Sequence, residues 1–175
     1  PPRDEVHDAI RDATAAGVRI ITVPACSEAV FASPAMTIGF ERMAPLVRRL
    51  GAMLTAAKEV RISSDAGTDL RITLCGRESV DQTGLSRGRG EWSPLPNIET
   101  AVGPADCGVN GVFAADAALI PGGVPSAPVL FDIVDGRIAG VRGGPEARVF
   151  ADLLERYGTP NVKRVVELGF GLNPK

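Results

Sequence analysis

The stretch "PVLFDIVDGRIAGVRGG" (residues 128–144) decides the fold class. Two apolar runs flank Asp135 and Gly136, and an Asp-Gly pair supplies the positive φ angles that a tight hairpin turn needs. The next segment, "PEARVFADLLERYG" (145–158), opens with Pro145, sets Val149, Leu153 and Leu154 on one side, and stops at Gly158. That pattern predicts a helix over 145–157. A hairpin that runs straight into an amphipathic helix describes a sheet with a helix packed on it.

Working outward, "EVRISSDAGTDLRITLCGR" (59–77) repeats the hairpin grammar, with strands at 59–63 and 69–75 and a turn over 65–67. Leu70, Ile72 and Leu74 fall on one face, and Arg71 and Thr73 on the other, as in a half-buried strand. "GVNGVFAADAALI" (108–120) reads as a further strand, with Asn110 and Gly111 as a turn or bulge. Antiparallel texture therefore begins near residue 58. Upstream of it, "DEVHDAIRDATAA" (4–16) carries Val6, Ile10 and Ala13 at helical spacing before Gly17. "VRIITVP" (18–24) then gives a short buried-type strand, the αβ half of a parallel layer.

A helical turn starts at Ser27 and Pro34 ends it. A longer helix follows over about 38–57, with Phe40, Met43, Leu46, Val47, Leu50 and Leu54 on one face and Pro45 kinking or splitting it. The expected architecture is α/β: a short parallel αβ segment over 1–58, part of an N-terminal lobe, followed by a mixed, largely antiparallel sheet with packed helices over 59–175. Residues 76–108 show no period, and "GLSRGRGEW" (84–92) reads as a mobile, solvated loop. "VKRVVELG" (162–169) is expected to be the last strand, running into a glycine-rich turn.

Composition removes several function classes. Nineteen basic against 21 acidic side chains leave a formal charge of −2, so neither nucleic acid nor an anionic membrane is an expected partner. No apolar run approaches the ~18 residues of a spanning helix. Cys26, Cys75 and Cys107 are widely spaced without a CxxC, which predicts buried reduced thiols in a cytoplasmic protein. A single histidine, His7, excludes HExxH and 2-His-1-carboxylate sets within these residues and reads as a solvated helix position.

Two carboxylates stand apart from the helix-surface acids. Glu99 lies in "SPLPNIETAVGP" (93–104), bracketed by Pro94, Pro96 and Pro104, which stiffen the chain around it. Glu167 ends "RVVE" on an expected buried strand, just before the glycine-rich turn. Ionised carboxylates are acceptors, suited to a divalent metal or to general-base work. The bland alternative for each is an acid bonded to loop backbone or paired with an arginine.

Taken in order, "ATAAGVRIITVP" (13–24), "GTDLRITLCGR" (67–77), "PLPNIETAVGP" (94–104), "VNG" (109–111), "VDGRIAGVRGG" (134–144) and "VVELGFGLNP" (165–174) resemble the thermophilic-type metallo-aminopeptidases. This is the aminopeptidase T and S, leucyl aminopeptidase-like group, which shares its scaffold with 2,5-dihydroxypyridine 5,6-dioxygenases. In the aminopeptidase loop an asparagine and a glycine are usual where Pro94 and Ile98 stand here.

For an aminopeptidase, the resemblance implies Glu99 and Glu167 as ligands to a divalent metal (zinc, cobalt or iron). For the dioxygenases it implies one non-haem iron held by downstream histidines and an aspartate, with Glu99 facing substrate. Family members run longer at both ends, so the resemblance also implies a chain shortened at both ends and an incomplete site, without the downstream histidine and aspartate ligands, that retains little or no metal and is inactive by itself. The reading placed first is an aminopeptidase-like hydrolase fragment acting on a peptide or small molecule. Behind it come a ring-cleaving dioxygenase fragment and a non-enzymatic α/β module that binds a partner or forms a homodimer.

Overall fold

The computed structural model of the chain describes residues 5–24 and 26–174. The first elements are helix α1 (Glu5–Ala15), strand β1 (Ile20–Thr22), short helix α2 (Glu28–Phe31), a 3-10 turn (Pro34–Thr37) and helix α3 (Phe40–Ala56). Strands β2 (Glu59–Ser63), β3 (Asp69–Thr73), β4 (Ser79–Gln82), β5 (Trp92–Pro94), β6 (Glu99–Val102), β7 (Val109–Ala115), β8 (Val129–Val134) and β9 (Arg137–Arg142) follow. Helix α4 (Pro145–Tyr157), a second 3-10 turn (Pro160–Lys163) and strand β10 (Leu168–Gly171) complete the order. Asp4, the first residue of the expected opening helix, lies outside the described residues.

The chain forms two compact units that are not consecutive in sequence. One comprises the residues up to Met53, Ser79–Ala101, and those from Gly169 onward; the other comprises Leu54–Glu78 and Val102–Leu168.

The second unit carries the five-stranded sheet β2-β3-β7-β8-β9, antiparallel at every pairing. Its core face follows from period-two alternation: Leu70, Ile72, Val109, Val129, Phe131 and Ile133 are all buried. Phe131 receives Phe150 of α4 edge-on, with ring centroids 5.2 Å apart. The opposite face is a set of cross-strand ion pairs, Arg61 with Asp69, Arg71 with Glu59 and Arg142 with Asp132. Asp135 (φ 48°) and Gly136 (φ 72°) make the β8-β9 turn, as their sequence requires. Gly111 in β7 is required by close approach: a Cβ there would lie 2.1 Å from the Asp69 carbonyl oxygen.

The first unit holds the parallel pair β1-β5, and β4, β6 and β10 make a three-stranded sheet in the order β10-β6-β4. The parallel αβ piece is thus present, and the partner of β1 is a strand that sequence periodicity did not reveal. Helix α3 runs unbroken through Pro45. Its buried stripe is Ala44, Val47 and Leu54, with Gly51 also inside, whereas Leu46 is 52% exposed. The difference at Leu46 is one of helical phase. Small residues occupy the close-packed line, and a Cβ on Gly51 would meet the Asp81 carboxylate at 2.1 Å.

Three further expectations are corrected. Cys26, Cys75 and Cys107 are all exposed, not buried, and Cys75 (φ 43°) and Cys107 (φ 58°) occupy left-handed turn positions. The loop 84–92 is tied down: Glu91 accepts from the backbone N–H groups of Arg87 (2.6 Å) and Gly88 (2.7 Å), and Ser86 Oγ donates to its carbonyl at 2.7 Å. The last strand is β10, which shares Leu168 and Gly169 with the expected strand and runs on over residues read as a turn. Among the described residues the run before it pairs with no strand beyond an Arg137–Arg164 bridge, and Val165 N–H donates to the Gly136 carbonyl.

Candidate active site

The loop 95–98 enters β6 through a cis Leu95-Pro96 peptide bond. The segment after β10 closes onto it. Leu172 N–H donates to the Ile98 carbonyl at 2.7 Å, and Asn173 Nδ2 donates to the carbonyls of Pro96 (2.8 Å) and Ala35 (3.3 Å). The two motifs of the sequence resemblance, "LPNIE" and "GFGLNP", are therefore physically joined in the first unit. Asn97 adds a side-chain bond to Gln82 of β4, and Thr100, fully buried, donates to Asp81 Oδ1 at 2.7 Å.

Glu99 stands at the first position of β6, not in a free loop, between fully buried Ile98 and Thr100. It is half-buried. A Cβ on Gly169 would come within 3.3 Å of Glu99 Oε1, so its carboxylate lies over the β10 backbone where glycine leaves room. Glu167 is exposed, in extended chain one residue ahead of β10, and belongs to the second unit. The buried strand expected for it is not formed there. Neither carboxylate has a hydrogen bond or ion pair among the described residues. Both remain available as acceptors for a group outside the protein.

Sequence reasoning missed Asn173, Asn97, Gln82 and the Asp81–Thr100 pair, all of which support the Glu99 strand. The signal for Asn173 was present, since a side-chain amide in a glycine-rich stretch is a candidate bridge to backbone carbonyls. His7 is exposed on α1, as its sequence position predicts.

Electrostatics are perturbed away from the cluster. Backbone N–H bonds from Gly88 and Arg87 hold the Glu91 carboxyl below the usual glutamate range. Glu146 is lowered by backbone N–H bonds, its own and that of Ser126, and by the Ser126 hydroxyl. Its hydrogen bond to Asp132 raises Arg142.

Among the described residues no group of three or more His, Cys, Asp or Glu side chains could hold a metal ion. Transition-metal sites usually take three or four protein ligands. Glu99 and Glu167 alone, two carboxylates, fall short of that number.

This fold is shared by two kinds of solved enzyme. The structure of 2,5-dihydroxypyridine dioxygenase from Pseudomonas putida KT2440 matches with a TM-score of 0.80 at 22% identity, over 94% of this chain and 47% of that one. Wild-type AmpT from Thermus thermophilus matches with a TM-score of 0.62 at 23% identity, over 78% of this chain and 35% of that one. At these identities the likeness is one of fold.

The family is given by sequence. The chain belongs to the NicX family, 2,5-dihydroxypyridine 5,6-dioxygenase, whose model matches residues 7–175. A curated relative, 2,5-dihydroxypyridine 5,6-dioxygenase from Pseudomonas putida KT2440, is 25% identical over 126 residues, covering 70% of this chain and 36% of the relative. The chain thus spans between a third and a half of the length of these relatives. Of the two enzyme classes that share the scaffold, the sequence match lies with the dioxygenase. The aminopeptidase reading placed first above has support only from the more distant fold likeness.

Proposed function

We propose that this chain is part of an oxygen-dependent, ring-opening dioxygenase that acts on a dihydroxylated pyridine, with Glu99 as a carboxylate that faces the substrate. The observation that carries the reading is the family match along nearly the whole chain, 7–175. The family match supports a metal-dependent reaction, and iron, if it is the metal, would supply the chemistry of oxygen activation. The chain's own contribution is narrower. Glu99 is half-buried, free of partners among the described residues and held on a strand whose neighbours are hydrogen-bonded. A carboxylate so placed accepts a hydrogen bond or a proton from a ring hydroxyl or a protonated ring nitrogen, and orients the ring by doing so. Glu167, exposed in extended chain, is a second acceptor that the same reading leaves available.

The test is oxygen uptake by a full-length protein carrying these residues, with 2,5-dihydroxypyridine and added ferrous iron, run beside release of the N-terminal residue from a dipeptide amide with added zinc or cobalt. Oxygen uptake that falls at least tenfold in Glu99→Gln, with the fold intact, supports the proposal. Amino-acid release without oxygen uptake overturns it in favour of the aminopeptidase reading, and neither activity overturns both.

A further inference from the structure

A second cleft lies wholly within the second unit and is independent of Glu99. It has a volume of about 370 Å³, ample for a small ligand, and three arginines line it: Arg77, Arg137 and Arg164. Two acids, Asp106 and Asp135, share the cleft, so its formal charge is three minus two, or +1. Setting aside the one ion pair leaves the same balance, Arg77 and Arg137 against Asp135. Asp106 is already committed to Arg164, at 2.8 Å from Nη2. Arg137 uses one N–H on the Pro160 carbonyl and keeps the rest. The Arg77 guanidinium has no hydrogen bond or ion pair among the described residues.

The walls are fixed by backbone. Gly136 N–H donates to the Val109 carbonyl, Val165 N–H to the Gly136 carbonyl, and Asp135 N–H to Asn110 Oδ1, each at 2.8–2.9 Å. Three guanidinium groups line one cleft and only one of them has a carboxylate partner among the described residues, so an incoming anion finds donors still open. The planar donor fork of arginine matches the oxygens of phosphate and carboxylate.

We propose that this cleft is an oxyanion-binding site for a small molecule bearing a phosphate group, with Arg77 and Arg137 as its donors and Arg164 held in place by Asp106. The experiment is calorimetric titration of the protein with inorganic phosphate at low ionic strength, repeated with acetate. The expected result is saturable one-site binding of phosphate, weakened about tenfold in Arg77→Gln and in Arg137→Gln, and unchanged in Arg48→Gln, which lines no part of the cleft. Arg137→Gln removes the bond to Pro160, so Arg77→Gln, whose guanidinium holds nothing else together, carries the test if the former misfolds. Tighter binding of acetate than of phosphate would overturn the phosphate assignment. Absence of saturable binding, or binding that Arg77→Gln leaves unchanged, would overturn the site altogether.

Discussion

Asn173 and Pro96, 77 residues apart in the chain, are joined by a hydrogen bond of 2.8 Å from the asparagine amide to the proline carbonyl. The same amide reaches the Ala35 carbonyl at 3.3 Å, so one side chain ties the end of the chain to two loops. Asn173→Ala strands two carbonyls that the fold half-encloses, at a cost of about 1–3 kcal/mol. Asn173→Asp is expected to be no better, because a carboxylate cannot donate to either carbonyl. Urea unfolding of the two variants checks this. Equal midpoints for wild type and Asn173→Asp would contradict it.

Gly169 and Gly171 differ by two residues and should differ sharply in what they tolerate. A Cβ on Gly169 would press on Glu99 Oε1 at 3.3 Å, while one on Gly171 meets nothing within 4 Å. Neither has a positive φ, so backbone strain does not separate them. Gly169→Ala is expected to displace the Glu99 carboxylate and cut oxygen uptake severalfold, with little change in melting temperature. Gly171→Ala should leave both unchanged. Steady-state kinetics with thermal melts on the pair decides it.

What could be read from sequence tracks the length and regularity of each element. The hairpin turning at Asp135 and Gly136, strand β2 and helix α4 all announce themselves through turn chemistry and sustained period. Strands β4, β5 and β6 did not, because three or four residues hold too little alternation to register, and their pairing is long-range. Val165 and Val166 misplaced the last strand because β-branched residues favour extended backbone whether or not a partner strand lies alongside. Glu99 was legible as a fixed carboxylate from its bracketing prolines. The bonds from Asn173 and Leu172 that hold its strand depend on tertiary closure and leave no periodic trace.

Acid should loosen the loop around Glu91 before it unfolds the rest. The folded carboxyl lies below its ordinary value because the N–H groups of Gly88 and Arg87 donate to the ionised form. The sign follows from linkage. The stabilisation is fully present above the unfolded pKa, about 4.3, and is lost as pH falls through the lower folded value. The amide protons of Arg87 and Gly88 should shift and lose protection relative to their intrinsic exchange rates below that pH. Glu91→Gln should abolish the pH dependence, since a neutral amide oxygen accepts without titrating there. Two-dimensional amide spectra taken between pH 6 and 3 follow both residues directly.

The three cysteines give a test of the surface that needs no activity. Sequence statistics favour burial for free thiols, yet Cys26, Cys75 and Cys107 are each exposed in non-helical, non-strand chain. An aromatic disulfide reagent should therefore modify three thiols per chain in the folded state, with no further equivalents released by urea. Cys75 and Cys107 have positive φ and sit in turns that hold their side chains outward. Replacing both with glycine should remove two equivalents and relieve about 1–2 kcal/mol of left-handed strain at each site, offset in part by the added freedom of the unfolded chain. A count below three in the native protein, rising on denaturation, would show that at least one of these turns is packed beneath other structure.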